Sequence, residues 1–158
     1  MQFMQKIKYQ LIIIMLLMTM ISTVCQAQGL SVDPAKYYWK NVSIGQRVKC
    51  PELIKITNKS NTVTSYSIKA AAPSNLGLQV DKGFEEIPFR QWITFDKKHI
   101  ATNPNETVSM GMYIDIPKNP DYLNKNWEFI VSIQEHIKPS SIFNLVCDIK
   151  VFVSTTQK

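Results

Sequence analysis

Between Thr107 and Ile116 every second residue is apolar: Val108, Met110, Met112, Ile114 and Ile116 alternate with Thr107, Ser109, Gly111, Tyr113 and Asp115. Successive side chains of a strand point to opposite faces, so this period of two describes a strand with one dry and one wet side. The pattern recurs along the chain. Leu30 and Val32, closed by Pro34, read as a short first strand. After Gly45 come Val48, Cys50, Ile54 and Ile56 on one face of a second, then Tyr66, Ile68 and Ala70 in a third. Leu76, Leu78 and Val80 make a weak fourth, Phe89 to Phe95 with Ile93 a fifth, and Thr107 to Ile116 the sixth. Trp127, Phe129, Val131 and Ile133 share a face of a seventh; Phe143, Leu145, Cys147, Ile149, Val151 and Val153 share a face of an eighth. Turn chemistry separates them at Asn58-Lys59-Ser60-Asn61, Asp81-Lys82-Gly83 and Asn103-Pro104-Asn105. Pro51 has no N–H to give to a ladder, so it marks a bulge or an edge inside the second strand. Seven or eight short strands without a convincing amphipathic helix predict an all-β fold of two packed antiparallel sheets. A small closed barrel is the alternative, disfavoured by unequal strands and by long polar connections over 73–88 and 117–126.

Residues 1–27 read as a helical signal peptide rather than as part of the fold. Lys6 and Lys8 give a positive start, 11–21 is an almost unbroken apolar run, and Ser22 to Ala27 is a small, more polar exit. Cleavage after Ala27 puts Cys25 and Ala27 at the two small-residue positions and leaves a mature domain of 28–158, beginning at Gln28. Val24 before Cys25 fits a lipidation signal poorly. The apolar run is shorter than the roughly 18–20 residues of a spanning helix, so no stable membrane span is expected after cleavage. The expected location is periplasmic or extracellular. What remains is the size of one domain, and no linker or repeat divides it. Of the formal charge of +6, Lys6 and Lys8 carry two, leaving about +4 on scattered lysines. Without a basic run, nucleic acid is not an expected partner.

An oxidising destination and two remaining cysteines lead us to expect a Cys50–Cys147 disulfide, worth about 4–5 kcal/mol for a loop of that length. The alternative is that both are small buried apolar residues that never meet. No cofactor or metal is expected: two cysteines do not complete a four-ligand zinc site, and His99 and His136 lack ligand-type spacing relative to them. His99 reads as a solvated residue of the charged turn Lys97-Lys98-His99, and His136 as half of a surface pair with Glu135. Asp81, Glu85 and Glu86 share a polar loop but not the alternating ligands of a calcium loop. No phosphate loop, zinc helix or nucleophile elbow is present, so the chain is not expected to be an enzyme. Asn41, Asn58 and Asn105 each open a triplet of the glycosylation type.

Function is then expected on surfaces. Val146 and Phe152 of the last strand, and Ile130 of the strand before it, point away from the core-facing set, where an open edge would accept a partner's strand. Tyr37, Tyr38 and Trp39, with Tyr122 in the 119–127 loop, form a second candidate surface of the kind that suits protein or sugar contacts. The competing reading is structural: a first strand or loop covers the former group, and the aromatics close the end of the sandwich.

The segments Ile54-Lys55-Ile56-Thr57-Asn58-Lys59-Ser60 and Tyr66-Ser67-Ile68-Lys69, followed by Trp92-Ile93-Thr94-Phe95, Asn103-Pro104-Asn105-Glu106-Thr107 and Ile114-Asp115-Ile116-Pro117, resemble immunoglobulin-like domains of the pilus-chaperone and major-sperm-protein superfamily. The resemblance covers most of 30–153 and implies an immunoglobulin-like sandwich. Pilus chaperones carry two such domains and a basic pair that grips the subunit's C-terminus, whereas this chain has room for one. The expectation is therefore an exported, non-enzymatic interaction or structural module of a bacterial envelope with a protein partner. A reduced chaperone-like holder of secreted or pilus subunits and a small carbohydrate- or ion-binding module are the alternatives.

Overall fold

In a computed structural model that describes residues 29–136 and 144–156, the chain forms twelve strands. They are β1 (Leu30–Asp33), β2 (Lys36–Ser43), β3 (Gln46–Lys49), β4 (Ile54–Asn58), β5 (Thr64–Ala71) and β6 (Glu85–Glu86). The second half adds β7 (Ile93–Phe95), β8 (His99–Thr102), β9 (Thr107–Met110), β10 (Met112–Ile116), β11 (Asn126–Glu135) and β12 (Val146–Thr156). The expected signal peptide 1–27 and Phe143 of the eighth expected strand lie outside the described residues.

One layer consists of two small sheets, β1-β4-β9 and β3-β10-β7; the other is the large sheet β2-β12-β11-β5-β8, with β6 parallel to the start of β11. Their inward faces share one core that includes Ile56, Met110 and Ile114 from the first layer and Phe129, Val131 and Ile149 from the second, all fully buried. The alternation read from the sequence is the physical cause, since it places every second side chain in that layer.

Two expected strands are broken, at related places. Ile54 pairs with Met110 and Lys49 with Tyr113, so four residues, Cys50–Leu53, step across the space of two, Gly111 and Met112. Pro51 sits in this bulge, as its missing N–H requires. Opposite it, the apolar run 107–116 divides into β9 and β10 at Gly111, whose N–H donates to the Asp96 carboxylate at 2.9 Å.

Other elements depart from expectation. Leu76, Leu78 and Val80 form no strand. Pro73–Leu76 is a single 3-10 turn ended by Gly77 at φ +68°, and Leu78 is exposed. In the fifth segment only Ile93–Phe95 is strand, because Arg90–Trp92 coils to swing Trp92 inward against Tyr122 and Trp127, with ring centroids 5.0 and 5.7 Å away. Tyr37-Tyr38-Trp39, expected as an aromatic cluster after the first strand, lies in the first half of β2, which runs parallel to β12. The chain ends its pairing with β4 at Asp33, passes Pro34, and joins the opposite layer at Lys36. His99 opens a strand, β8, where a turn was expected, and buries Ile100 and Thr102 against β5.

Candidate functional site

The residues proposed from sequence as a binding surface separate into covered and open groups. Trp39, Ile130 and Phe152 are buried, and Tyr122 is half-buried against Trp92 and Trp127. The cover over Phe152 has a defined construction: Tyr38 stacks on its ring at 4.7 Å, Phe84 meets it edge-on at 4.6 Å, and the Lys36 ammonium stands 4.7 Å from its centroid. That cover is held by charge. Lys150 Nζ approaches Asp81 at 2.6 Å and Glu128 at 3.2 Å, and Lys36 Nζ reaches Asp81 at 3.2 Å. Glu128 is fully buried; its Oε2 accepts from the Asp81 N–H at 2.7 Å and its carbonyl from the Ile87 N–H at 3.0 Å. The salt partners Lys150 and then Lys36 hold the Asp81 carboxyl below its ordinary range.

Val146 is different. It is 52 % exposed, and Leu145 beside it 40 %. The two large apolar side chains stand where, among the described residues, a strand pairs with the chain on one side only. β11 pairs with β12 from Val146 onward, but β2 begins at Lys36, opposite Lys150. The strand alternation then decides which backbone groups are free. The Glu135 N–H donates to the Leu145 carbonyl and the Thr155 N–H to Lys125, so odd-numbered residues of β12 turn their polar groups toward β11. Those of Val146 and Asp148 turn outward, and among the described residues no backbone group meets them. β1 passes beside this segment, but its ladder is with β4. Among the described residues, Val146 and Asp148 thus form a short strand edge with unpaired backbone donors and acceptors, beside the exposed apolar side chains of Leu145 and Val146, the arrangement that accepts an added strand.

Cys50 and Cys147 are free thiols in this structure, so the expected bond is not formed. Cys50 lies beside the Tyr37 hydroxyl, and Tyr37 stands opposite Val151. The side-chain partner of Cys50 is thus the Tyr37 hydroxyl, while Cys147 lies four residues before Val151 on β12. Burial raises both thiols above their ordinary range. His99 and His136, read separately from the sequence, meet: their rings stack with centroids 5.6 Å apart and ring nitrogens 3.5 Å apart. Among the described residues no three metal-ligating side chains gather. Glu86 of the acidic loop caps Ser74, accepting from its N–H at 2.6 Å and its hydroxyl at 2.9 Å. None of the described helical turns is long and apolar enough to cross a membrane.

No family model matches this chain, and no curated protein matches it. Solved structures do. A PapD-like domain of human CEP192 aligns with TM-score 0.59 at 5% identity, over 83% of this chain and 87% of that one. The E. coli chaperone DraB aligns with TM-score 0.54 at 7% identity, over 79% of this chain and 54% of that one. A chain from the complex of the Salmonella enterica SafA pilin with the SafB chaperone also gives 0.54 at 7%, over 80% and 54%. The chain therefore spans about half the length of these bacterial matches. At such identities the likeness concerns the fold. The fold shared with these PapD-like and chaperone structures agrees with the immunoglobulin-like sandwich expected from the sequence.

Proposed function

We propose that this protein is an exported, non-enzymatic binding module of the bacterial envelope that holds an extended segment of a partner protein along β12. The observation that carries the reading is the outward-facing backbone of Val146 and Asp148, unpaired among the described residues, beside the exposed Leu145 and Val146 side chains. Backbone hydrogen bonds would supply affinity there and the two apolar side chains selectivity. The leader 1–27 supports delivery of 28–158 to the periplasm or beyond. The shared fold with periplasmic chaperones, one of them solved with a pilin, supports a secreted subunit as the partner class.

Proline at position 148 tests this directly. Because the Asp148 N–H faces outward, D148P leaves the β11 ladder intact while its ring blocks a strand docking from outside. A photo-crosslinking residue at Val146, used in the native envelope, is expected to capture one partner, and D148P is expected to cut the yield about tenfold with an unchanged circular-dichroism spectrum. Equal capture from the exposed turn residue Lys82, or equal yield in D148P, would overturn the reading.

A further inference from the structure

On the far side of β11 from the docking edge, β5 is itself only half covered. Its pairing with β8 runs from Thr64 to Ser67, and the last bond on that side is from the Ile68 N–H to the Lys98 carbonyl, 2.9 Å. Beyond it a cavity of about 430 Å³ opens between β5 and the Arg90–Trp92 turn with β7. Ala70, Ile93 and Phe95 form its apolar part, and Lys69, Arg90 and Lys98 stand round it. Among the described residues the lining contains no carboxylate, and the three cations form no ion pair or side-chain hydrogen bond with any of them. Even-numbered residues of β5 turn their backbone toward β8, as Ile68 does, so the Ala70 N–H faces this side too, without a backbone partner among the described residues. The volume lies in the range of small-molecule sites.

Three unneutralised cations round one concavity concentrate positive potential on a single multiply charged group, and more strongly than on carboxylates spaced along a peptide. An apolar lining that would be wasted on a free ion lies between them. We propose that this cavity binds a phosphate-headed amphiphile, the headgroup on Lys69, Arg90, Lys98 and the Ala70 N–H, and an apolar chain over Ala70, Ile93 and Phe95. Arg90 is the residue suited to grip two phosphate oxygens at once, with the lysines as point charges. The site is independent of the β12 edge, so either can fail alone.

Calorimetric titration of the purified protein with dihexanoyl-phosphatidic acid below its micellar range is the test. One saturable site is expected, weakened about tenfold in R90E and in K98E, within about threefold of the parent in R90K, and unchanged in K82E on a remote turn. Inorganic phosphate is expected to bind at least about tenfold more weakly, and the choline-headed analogue not measurably. Circular dichroism checks that each variant folds, and K98A, at an exposed loop position, replaces R90E if that variant does not. The proposal is overturned by equal affinity for phosphate alone, by equal binding of the choline lipid, or by a glutamate-rich peptide binding in preference. It is equally overturned by adsorption to phosphatidylglycerol vesicles without binding of the monomeric lipid, or by R90E and K98E titrating like the parent.

Discussion

Asn58 shows how much one polar side chain can organise. It is fully buried, and every hydrogen-bonding position is occupied. Its Nδ2 donates to the carbonyls of Thr62 at 2.7 Å and Thr102 at 3.2 Å, and its Oδ1 accepts from the Ser60 N–H at 2.9 Å and hydroxyl at 2.7 Å. Removing it strands buried backbone groups, so N58A is expected to cost about 2–3 kcal/mol in urea denaturation. The same occupancy takes Asn58 out of the glycosylation triplets noted in the sequence, leaving the exposed Asn41 and Asn105. Asp81 is the second case. Lys150 and Lys36 lower its folded pKa, so its stabilising contribution is complete above the unfolded value near 3.9 and is lost as pH falls through the lower folded value. D81N is expected to melt below the parent at pH 7, with the gap closing as the medium is acidified through that window; a gap independent of pH would refute the linkage. At this scale the sequence was legible where chemistry is local: the Asn58 turn could be read from four consecutive residues. Glu128 could not. It alternates with the core residues Trp127 and Phe129 and so reads as an ordinary outward-facing polar residue, and its burial and its partners, Asp81 and Lys150, come only from tertiary structure. The stacked pair His99 and His136 was hidden for the same reason.

Elements were legible wherever alternation and a breaker agreed. β1, β5, β11 and β12 appear where the period of two put them, and Pro51 marked its bulge. The misreadings have a common cause: a period of two says that side chains alternate, not that the backbone keeps one partner. Residues 107–116 alternate throughout yet change partners at Gly111, from β4 to β3 and β7. The Leu76–Val80 segment alternates too, but Pro73 and Gly77 at φ +68° wind its start into a turn. The candidate edge was half legible. Val146 was named from its facing, but Phe152 and Ile130 share that facing and are buried, Phe152 because Tyr38 of β2 and Phe84 cover it. Nothing in the order of residues says that β2 begins only at Lys36. The connection from β2 to β3 gives a test at this scale. Gly45 has φ +77°, its N–H donates to the Ile116 carbonyl at 2.7 Å, and an added Cβ would lie 2.9 Å from the Lys118 Cβ. G45A therefore combines left-handed backbone strain with a contact that only a backbone shift relieves, and about 2 kcal/mol of lost stability is expected by urea denaturation.

The molecule as a whole is held by one interface between layers, and β1–β2 crosses it: the chain pairs with β4 up to Asp33 and with β12 from Lys36. A segment committed to both layers ties their separation to its own unravelling, so neither layer has a route to independent stability. The three tryptophans report on this interface from separate elements. Trp39 lies on β2, Trp92 on the turn before β7 and Trp127 on β11, and all are buried, at 4, 8 and 3 % exposure. Trp39 and Trp127 flank Val153 in one row across the large sheet, whereas Trp92 enters from the segment that leads into the other layer. If one core unites the layers, residues 28–158 expressed by themselves should unfold in urea as a single transition. Tryptophan emission and far-ultraviolet circular dichroism should then trace the same curve, and W39F and W92F, each silencing one reporter, should leave the midpoints of the two probes superimposed. An emission change that precedes loss of β signal in the parent and vanishes in W92F would show the β3-β10-β7 sheet opening first. The cavity beside β7 would then belong to a separately mobile layer, and the shared core would not be what fixes its shape.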